Sequence, residues 1–400
     1  MLLLVAATMS AQVPVASDEA AHVRSDFAPR AGEQTLNCEV TPVGAAANFA
    51  FSFESGYVFH VPKALYSESD GDWIVFTAIR PEGRPLEDVS LIHRVPRQRA
   101  IVSGSSLDIR GRYFLGEGSY SVESTLRDSR GRVCRKHWRV LVPTWRFDRG
   151  VPSRLPPFHI AQYSPVIPPE TESPDSAATA RLTILLNAAA ASPRRTTIRD
   201  MERGRLLGAL TGLLEHLPTE PVRVIVFSLE QQKEVLRVDN FAPSDMNRIA
   251  GAIAAVPQAT VDVNVLKNPL GHVDFLAGMI RRELAASDPA DTVLFLGPTS
   301  RYLEKLPKDA LPAVGQSHAR VFYVRYERWG RPTGFVASTE TTKRPQAVQP
   351  PEDGPFAPSE SSRGQPDIIS KAVAQLNGRT FIVHMPAELA AAIRKMEEKR

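Results

Sequence analysis

Hydrophobic and polar positions follow two different patterns along this 400-residue chain. Between residues 35 and 142, short runs alternate apolar and polar side chains and end at turn residues; they lie at 36–40, 48–53, 57–61, 72–79, 89–92, 118–126 and 133–140. This alternation is typical of strands with one buried and one solvated face. From residue 181 onward, continuous aliphatic runs alternate with stretches whose apolar positions recur at helical spacing. The chain is therefore predicted to be multidomain, with an all-β region followed by an α/β region.

The all-β region contains one clear hairpin. Its strands, 118–126 and 133–140, flank a turn that runs from Asp128 to Gly131. Short strands with frequent turn signals and almost no helical period predict a β-sandwich over residues 35–142. The Gly118-Ser119-Tyr120 strand, the turn and the closing strand resemble the last hairpin of immunoglobulin-like and fibronectin-type-III-like modules. That resemblance implies a fold and no site residue.

The α/β region alternates strands with helices. Buried-type strands are predicted at 182–187, 222–228, 292–297, 320–325 and 379–383; helices are predicted at 198–216, 243–256 with Ser244 as N-cap, 271–286, 367–376 and from 386 to the end. This order predicts a doubly wound, mainly parallel sheet covered on both faces, over residues 181–397. Ligands of such sheets bind beyond the carboxyl ends of the strands. A site is therefore expected at Asn187, which ends the first strand.

The remaining segments lack periodicity. Residues 1–11 are predicted to be a signal peptide, although a frayed apolar terminus is the alternative, and residues 12–34 a flexible leader. Residues 143–180 are predicted to be a proline-rich linker, and about 330–365 a surface insertion. No other stretch is long enough to cross a membrane. We therefore expect a secreted or periplasmic protein with no transmembrane segment after signal removal.

The net charge bears on the class of partner, and the two cysteines bear on whether the chain contains a disulfide. The formal net charge is only +4 and there is no dense basic run, so nucleic acid is not expected as a partner. The two cysteines, Cys38 and Cys134, permit one disulfide in an exported chain, and two separate buried thiols are the alternative.

The order of elements from 181 to 396 resembles a von Willebrand factor type A domain, particularly the divergent versions in exported bacterial proteins. That family holds a divalent cation with an Asp-x-Ser-x-Ser motif after the first strand, a threonine before the third helix and a later aspartate. The matching positions here are Asn187, Ala189, Ala191, Val273 and Gly297. Because alanine, valine and glycine offer no side-chain oxygen to a hard cation, the resemblance implies a degenerate site with no metal and no cofactor.

Signals of catalysis are weak. No histidine pair has HxH or HExxH spacing, and no GxSxG elbow accompanies the combination of Ser228, His272 and Asp274. Those three residues, with Asn187 and Ser192, are instead predicted to form a binding rim. We expect a non-catalytic, exported module that binds another protein or a cell-envelope component. The alternatives are a hydrolase or metal-dependent adhesin, with its site at the strand ends or between domains, and a structural spacer.

Overall fold

Three β-sheets organise the chain: two are antiparallel, and one is mainly parallel and accompanied by helices. The computed structural model describes residues 12–67, 71–84, 88–96, 101–103, 106–144, 151–170, 180–190, 197–217, 219, 221–257, 267–268, 270–285, 289–307, 309–311, 318–327 and 366–398. These residues fall into two compact units, 12–144 with 152–164, and 165–327 with 151 and 366–398. The predicted signal peptide and the predicted insertion at 330–365 lie outside the described residues.

The first unit contains both antiparallel sheets. Its strands are β1 (Gln12–Pro14), β2 (Glu39–Ala47), β3 (Phe53–Pro62), β4 (Trp73–Pro81), β5 (Val89–Val95), β6 (Ile101–Ser103), β7 (Ser106–Leu115), β8 (Gly118–Arg127), β9 (Val133–Val142) and β10 (Ile160–Gln162), and its helices are α1 (Ser17–Asp26) and α2 (Lys63–Ser67). One sheet has the order β1-β5-β4-β8-β9; the other has the order β10-β7-β3-β2, with β6 paired to β7.

Alternating residues of both sheets share one core. Trp73 and Trp138 from one sheet and Tyr57 from the other are almost completely buried in the same apolar cluster. A disulfide joins Cys38, just before β2, to Cys134 on β9, with 6.2 Å between the Cα atoms. Since β2 and β9 belong to different sheets, the disulfide ties the two layers together.

Residues 12–34 are ordered, unlike the flexible leader that the sequence predicts. Strand β1 pairs with β5, and the helix α1 leads to Phe27, whose ring stacks on Phe76 at 5.1 Å between centroids. Gln12 is buried, its Nε2 donates to the Tyr57 hydroxyl, and its Oε1 accepts the Arg112 amide. Phe27 is the main apolar anchor of this segment. Because one buried ring is not a repeating pattern of apolar residues, the sequence does not predict that this segment packs on the sheet.

The described parts of the predicted linker, 143–144, 151–170 and 180, include a strand and contacts with the second unit. Strand β10 pairs with β7 at the edge of the first unit. Further on, the Ile167 carbonyl accepts a hydrogen bond from Thr211 Oγ1 at 2.6 Å, within the second unit. Prolines exclude a segment from the interior of a sheet but not from its edge. An extended, proline-rich segment can therefore lie along the surface of a domain, as these parts of the linker do.

The second unit contains a six-stranded sheet of order β13-β12-β11-β14-β15-β16. Its strands are β11 (Leu182–Asn187), β12 (Val222–Ser228), β13 (Lys233–Val238), β14 (Thr292–Pro298), β15 (Arg320–Tyr326) and β16 (Arg379–Val383), and its helices are α3 (Asp200–His216), α4 (Met246–Ala255), α5 (Gly271–Leu284), α6 (Ile368–Gln375) and α7 (Pro386–Glu397). All strand pairs are parallel except β12 with β13. Strands β11 and β14 are buried along their whole length, as expected for the centre of an α/β sheet.

Two details of the second unit differ from the sequence analysis. The edge strand β13 was not predicted, because Lys233, Glu234 and Arg237 give it a polar composition. A 3-10 turn precedes α4, and Asp245, not Ser244, accepts the Ala242 amide there, at 3.0 Å. Within the described residues, no helix combines the length and the apolar character needed to cross a membrane.

Candidate functional site

The candidate site lies where the strand order of the second unit reverses direction. Strand β11 comes first in the chain but lies between β12 and β14. At the carboxyl ends, Asn187 is level with Phe227 of β12, and Gly297 of β14 is level with Arg325 of β15. Side chains that are level in a parallel sheet point to the same face. The crevice beyond such a reversal is the usual ligand site of open α/β sheets.

The residues at the matching metal positions do not fit a hard divalent cation. Ala189 has no side-chain oxygen, Val273 is buried in the first turn of α5, and Ala191 lies outside the described residues. A Cβ built on Gly297 would lie 2.8 Å from the Asn187 Cβ, so the backbone leaves no room for a side chain there. In the described ranges, no three His, Cys, Asp or Glu side chains are grouped as metal ligands.

Asn187 is the polar residue at the centre of this edge. Its side chain is 1% exposed, and neither Oδ1 nor Nδ2 has a hydrogen-bond partner among the described residues. An unpaired buried polar group costs about 1–3 kcal/mol, because it loses water and gains nothing in return. Native proteins leave few such groups, and those that remain occur at sites of strain, function or bound water.

The chain that follows β14 crosses the carboxyl edge of the sheet. We call residues 299–306 the crossing segment. At its start, the Ser300 amide donates to Asp367 Oδ2 at 2.7 Å, and the Ile368 amide of α6 donates to the Tyr302 carbonyl at 2.8 Å. The Tyr302 ring then stacks on His272 in the first turn of α5, with 4.0 Å between centroids. The segment therefore runs from the start of α6 to the start of α5.

Side chains on α5 and on the turn after β12 contact charged residues of the crossing segment. His272 Nε2 lies 3.1 Å from Glu304 Oε2. Partial burial acts to raise the pKa of Glu304, but backbone amides and His272 outweigh it and leave that pKa below its usual value. Arg301 lies 3.3 Å from Glu230, on the turn after β12.

The structure separates the residues of the predicted rim. Ser228 is buried, and its Oγ accepts the Gln231 amide at 3.2 Å, which stabilises the turn after β12. His272 is engaged with Tyr302 and Glu304, whereas Asp274 is exposed on α5. Ser192 lies outside the described residues. The three groups considered for a catalytic triad therefore form no hydrogen-bonded array in the described part of the chain.

The exposed surface of this edge is different from the one predicted. Leu270, just before α5, is 58% exposed, and Leu303 on the crossing segment is 46% exposed. The charged side chains of Arg301 and Glu304 lie on the same segment and are 45% and 41% exposed. We call these four residues the rim patch. Their exposure depends on the path of the crossing segment, so no sequence signal could identify them.

A second polar array lies on the first unit. Thr41 Oγ1 is 3.1 Å from His60 Nε2, and His60 Nδ1 is 2.9 Å from Asp108 Oδ1. Burial acts to raise the pKa of Asp108, but bonds from His60 and Ser106 outweigh it and lower that pKa. A hydroxyl, an imidazole and a carboxylate in this order match the connectivity of a catalytic triad. They come from three neighbouring strands, β2, β3 and β7, and residues 48 apart carry no sequence signal for such a contact.

Comparisons with known proteins assign no family. No protein-family model matches the chain, and no curated protein matches it. Among solved structures, a weak similarity joins it to ChiW, a multi-modular chitinase expressed on the cell surface of Paenibacillus sp. str. FPU-7. The identity is 8% and the TM-score 0.15, over 74% of this chain and 27% of that one, so this chain spans about a quarter of the chitinase. At that TM-score the similarity carries no argument about fold or function.

Proposed function

We propose that this protein is a non-catalytic, exported binding module whose second unit is a metal-free, von Willebrand A-like domain. The observation that carries the proposal is the set of side chains at the carboxyl edge of the sheet. Of the described positions that match the family's cation ligands, only Asn187 has a side-chain oxygen, the crossing segment joins the starts of α6 and α5, and the exposed side chains are those of the rim patch. Such a surface suits a protein partner better than a small ligand, since exposed apolar side chains mark interaction sites and arginine is enriched at protein interfaces.

Strand topology supports both family resemblances. In the second unit, the order third, second, first, fourth, fifth, sixth, with only the third strand antiparallel, is the order expected of a von Willebrand A-like domain. In the first unit, the long strands β2, β3 and β7 form one sheet and β4, β5, β8 and β9 the other. This division is expected of a fibronectin-type-III-like sandwich.

A tyrosine hydrogen bond supports the sandwich further. The Tyr120 hydroxyl donates to the Gly116 carbonyl at 2.8 Å, four residues upstream. A bond of this kind is a recurrent feature of immunoglobulin-like sandwiches. The Cys38–Cys134 disulfide in turn supports export, because disulfides persist in oxidising compartments.

A pull-down experiment tests whether the rim patch binds a protein partner. The full chain, immobilised, is exposed to a cell-envelope extract of the organism that encodes it. The double variant Leu270→Asp/Leu303→Asp places negative charge on the rim patch. The control variant, Leu141→Asp, places negative charge on the first unit, at a residue that is 69% exposed. We expect a protein that is retained by the wild type and by Leu141→Asp but not by the double variant. Equal retention by all three, or no saturable retention, would contradict the proposal.

Calorimetry tests the metal-free part of the proposal separately. Titration with Mg²⁺, Mn²⁺ and Ca²⁺ is expected to give no saturable heat, because Asn187 is the one residue among the described matching positions that has a side-chain oxygen. Micromolar binding of any of the three ions would favour the metal-dependent adhesin instead.

The second candidate function is a hydrolase, and the Thr41–His60–Asp108 array is the observation in its favour. Two features weigh against it. Asp108 is shared with Ser106, which donates to the same oxygen at 3.2 Å. Moreover, His60 and Asp108 lie on β3 and β7, which have paired strands on both sides, so the main-chain N–H groups around them are engaged in the sheet and do not form an oxyanion hole. We therefore interpret it as a cross-strand polar ladder.

A further inference from the structure

The disulfide of the first unit lies at a side of the sandwich where both sheets end. Strand β9 is the last strand of one sheet and β2 the last of the other, and Cys38 directly precedes β2. The chain before Cys38 runs beside β9, because the Leu36 amide donates to the Val133 carbonyl at 2.7 Å and the Val133 amide donates to the Gln34 carbonyl at 2.9 Å. Within the described residues, no further strand extends either sheet past β2 or β9.

A depression of about 450 Å³ opens beside the disulfide. It is lined by both cysteines and by Thr35, Leu36, Asn37, Arg135 and Lys136. Its volume falls within the range of small-molecule sites, about 300–1,000 Å³. Cys134 is only 4% exposed, whereas Cys38 is half-buried. Cys38 is therefore the more accessible of the two cysteines to a solute in the depression.

Lys136 places a positive charge near Cys134. The two residues are separated by one position on β9, and alternate residues of a strand point to the same face. Arg135 also lines the depression, but its charge is offset by an ion pair with Glu33. Thiol–disulfide exchange turns one sulfur of the disulfide into a leaving thiolate, and a neighbouring ammonium group stabilises a thiolate. The same charge attracts an anionic reactant.

We propose that Cys38–Cys134 is a thiol-exchange site of the folded protein and that its reactant is a small thiol carrying carboxylates, such as glutathione. The thiolate attacks Sγ of Cys38 and forms a mixed disulfide. The bond between the two cysteines breaks, and its electron pair goes to Sγ of Cys134, which leaves as a thiolate near Lys136 and then takes a proton from water. A second thiolate attacks the sulfur of the bound thiol, which releases Cys38 as a thiolate that is protonated in turn. Two small thiols are thereby oxidised to their disulfide, the protein disulfide is reduced, and β2 is no longer tied to β9.

Reduction of the full wild-type chain by reduced glutathione tests the proposal. The rate constant is measured at several urea concentrations below the unfolding transition, by quenching samples with iodoacetamide and weighing them by mass spectrometry. Attack on the folded protein should give a rate constant that changes by less than about twofold over this range. If the sulfurs were reached only after unfolding, the rate constant would rise roughly fivefold or more for each molar increase in urea, and the proposal would be overturned.

Peptide mapping of the quenched samples tests which sulfur is attacked. We expect the glutathione adduct on Cys38 and the iodoacetamide label on Cys134, because Cys134 is the more deeply buried residue. An adduct found mainly on Cys134 would overturn the assignment of Cys38 as the attacked residue.

The variant Lys136→Glu tests the choice of an anionic thiol. Reduction by glutathione should slow by about three- to tenfold, the factor expected when one nearby charge is reversed in a solvated site. Reduction by 2-mercaptoethanol, whose thiolate carries less negative charge, should slow by a smaller factor. The control is Lys233→Glu, which makes the same change at an exposed lysine of the second unit and should leave both rates unchanged. Equal rates for the two variants with glutathione would overturn the assignment of an anionic reactant, and the urea series on the wild type decides the proposal if Lys136→Glu does not fold.

Discussion

Replacing Phe27 with alanine tests whether the ordered N-terminal segment stabilises the first unit. Phe27 is 8% exposed, its ring stacks on Phe76, and the Arg127 guanidinium lies 4.1 Å from the ring centroid. Truncating a buried phenylalanine costs about 3–5 kcal/mol. We expect about 3 kcal/mol here, the lower end, because a segment at the surface of a sheet can relax into the space.

Urea unfolding followed by tryptophan fluorescence measures the effect, since Trp73 and Trp138 lie in the core of the first unit. The control is Leu141→Ala, at a residue that is 69% exposed, which should change the free energy of unfolding by less than about 0.5 kcal/mol. An effect of Phe27→Ala as small as that of the control would refute the reasoning. Residues 12–34 would then behave as the flexible leader that the sequence predicts.

Three further predictions concern the first unit. Burial lowers the pKa of His93 to about 4, so the free energy of unfolding should be greatest above pH 6.5 and fall by about 3 kcal/mol as the pH drops towards 4; His93→Gln should flatten this part of the pH profile measured by urea unfolding. Replacing Cys38 and Cys134 with alanine, which opens a loop closed across a separation of 96 residues, should lower the free energy of unfolding by about 2–5 kcal/mol, and reduction of the wild type should have the same effect in the same assay. A fluorophosphonate probe should not label the protein; labelling that His60→Ala abolishes would show that Thr41 is an activated nucleophile.

The sequence predicted the central strands of the second unit well but missed four strands of the first unit, β1, β6, β7 and β10. Continuous aliphatic runs placed β11 and β12 at their observed bounds, and the bounds of the edge strand β16 were also predicted. Strand β7 was missed because Gly111 interrupts its alternation. The structure explains the glycine: a Cβ at that position would lie 2.1 Å from Cζ of Tyr57, whose ring packs across the strand. The close approach of two strands depends on tertiary packing, which the local pattern of apolar and polar residues does not encode.

The sequence predicted that a strand ends at Asn187, but not the contacts around that residue. The end of an aliphatic run identified Asn187, and general knowledge of α/β sheets assigned it to the ligand-binding edge. Its burial depends on the folded chain around it, and the crossing segment lies more than a hundred residues further on. The same long-range packing brings Tyr302 onto His272 and leaves Leu303 exposed. Neither result can be read from residues adjacent in sequence.

The contact between Gly297 and Asn187 limits how this protein can evolve. Any side chain introduced at position 297 begins with a carbon 2.8 Å from Cβ of Asn187. A single mutation to aspartate would therefore distort the strand before it supplied a ligand, and a cation site here would require coordinated changes at both positions. Selection acting on one substitution at a time meets a barrier there, so an acidic residue is difficult to introduce at position 297.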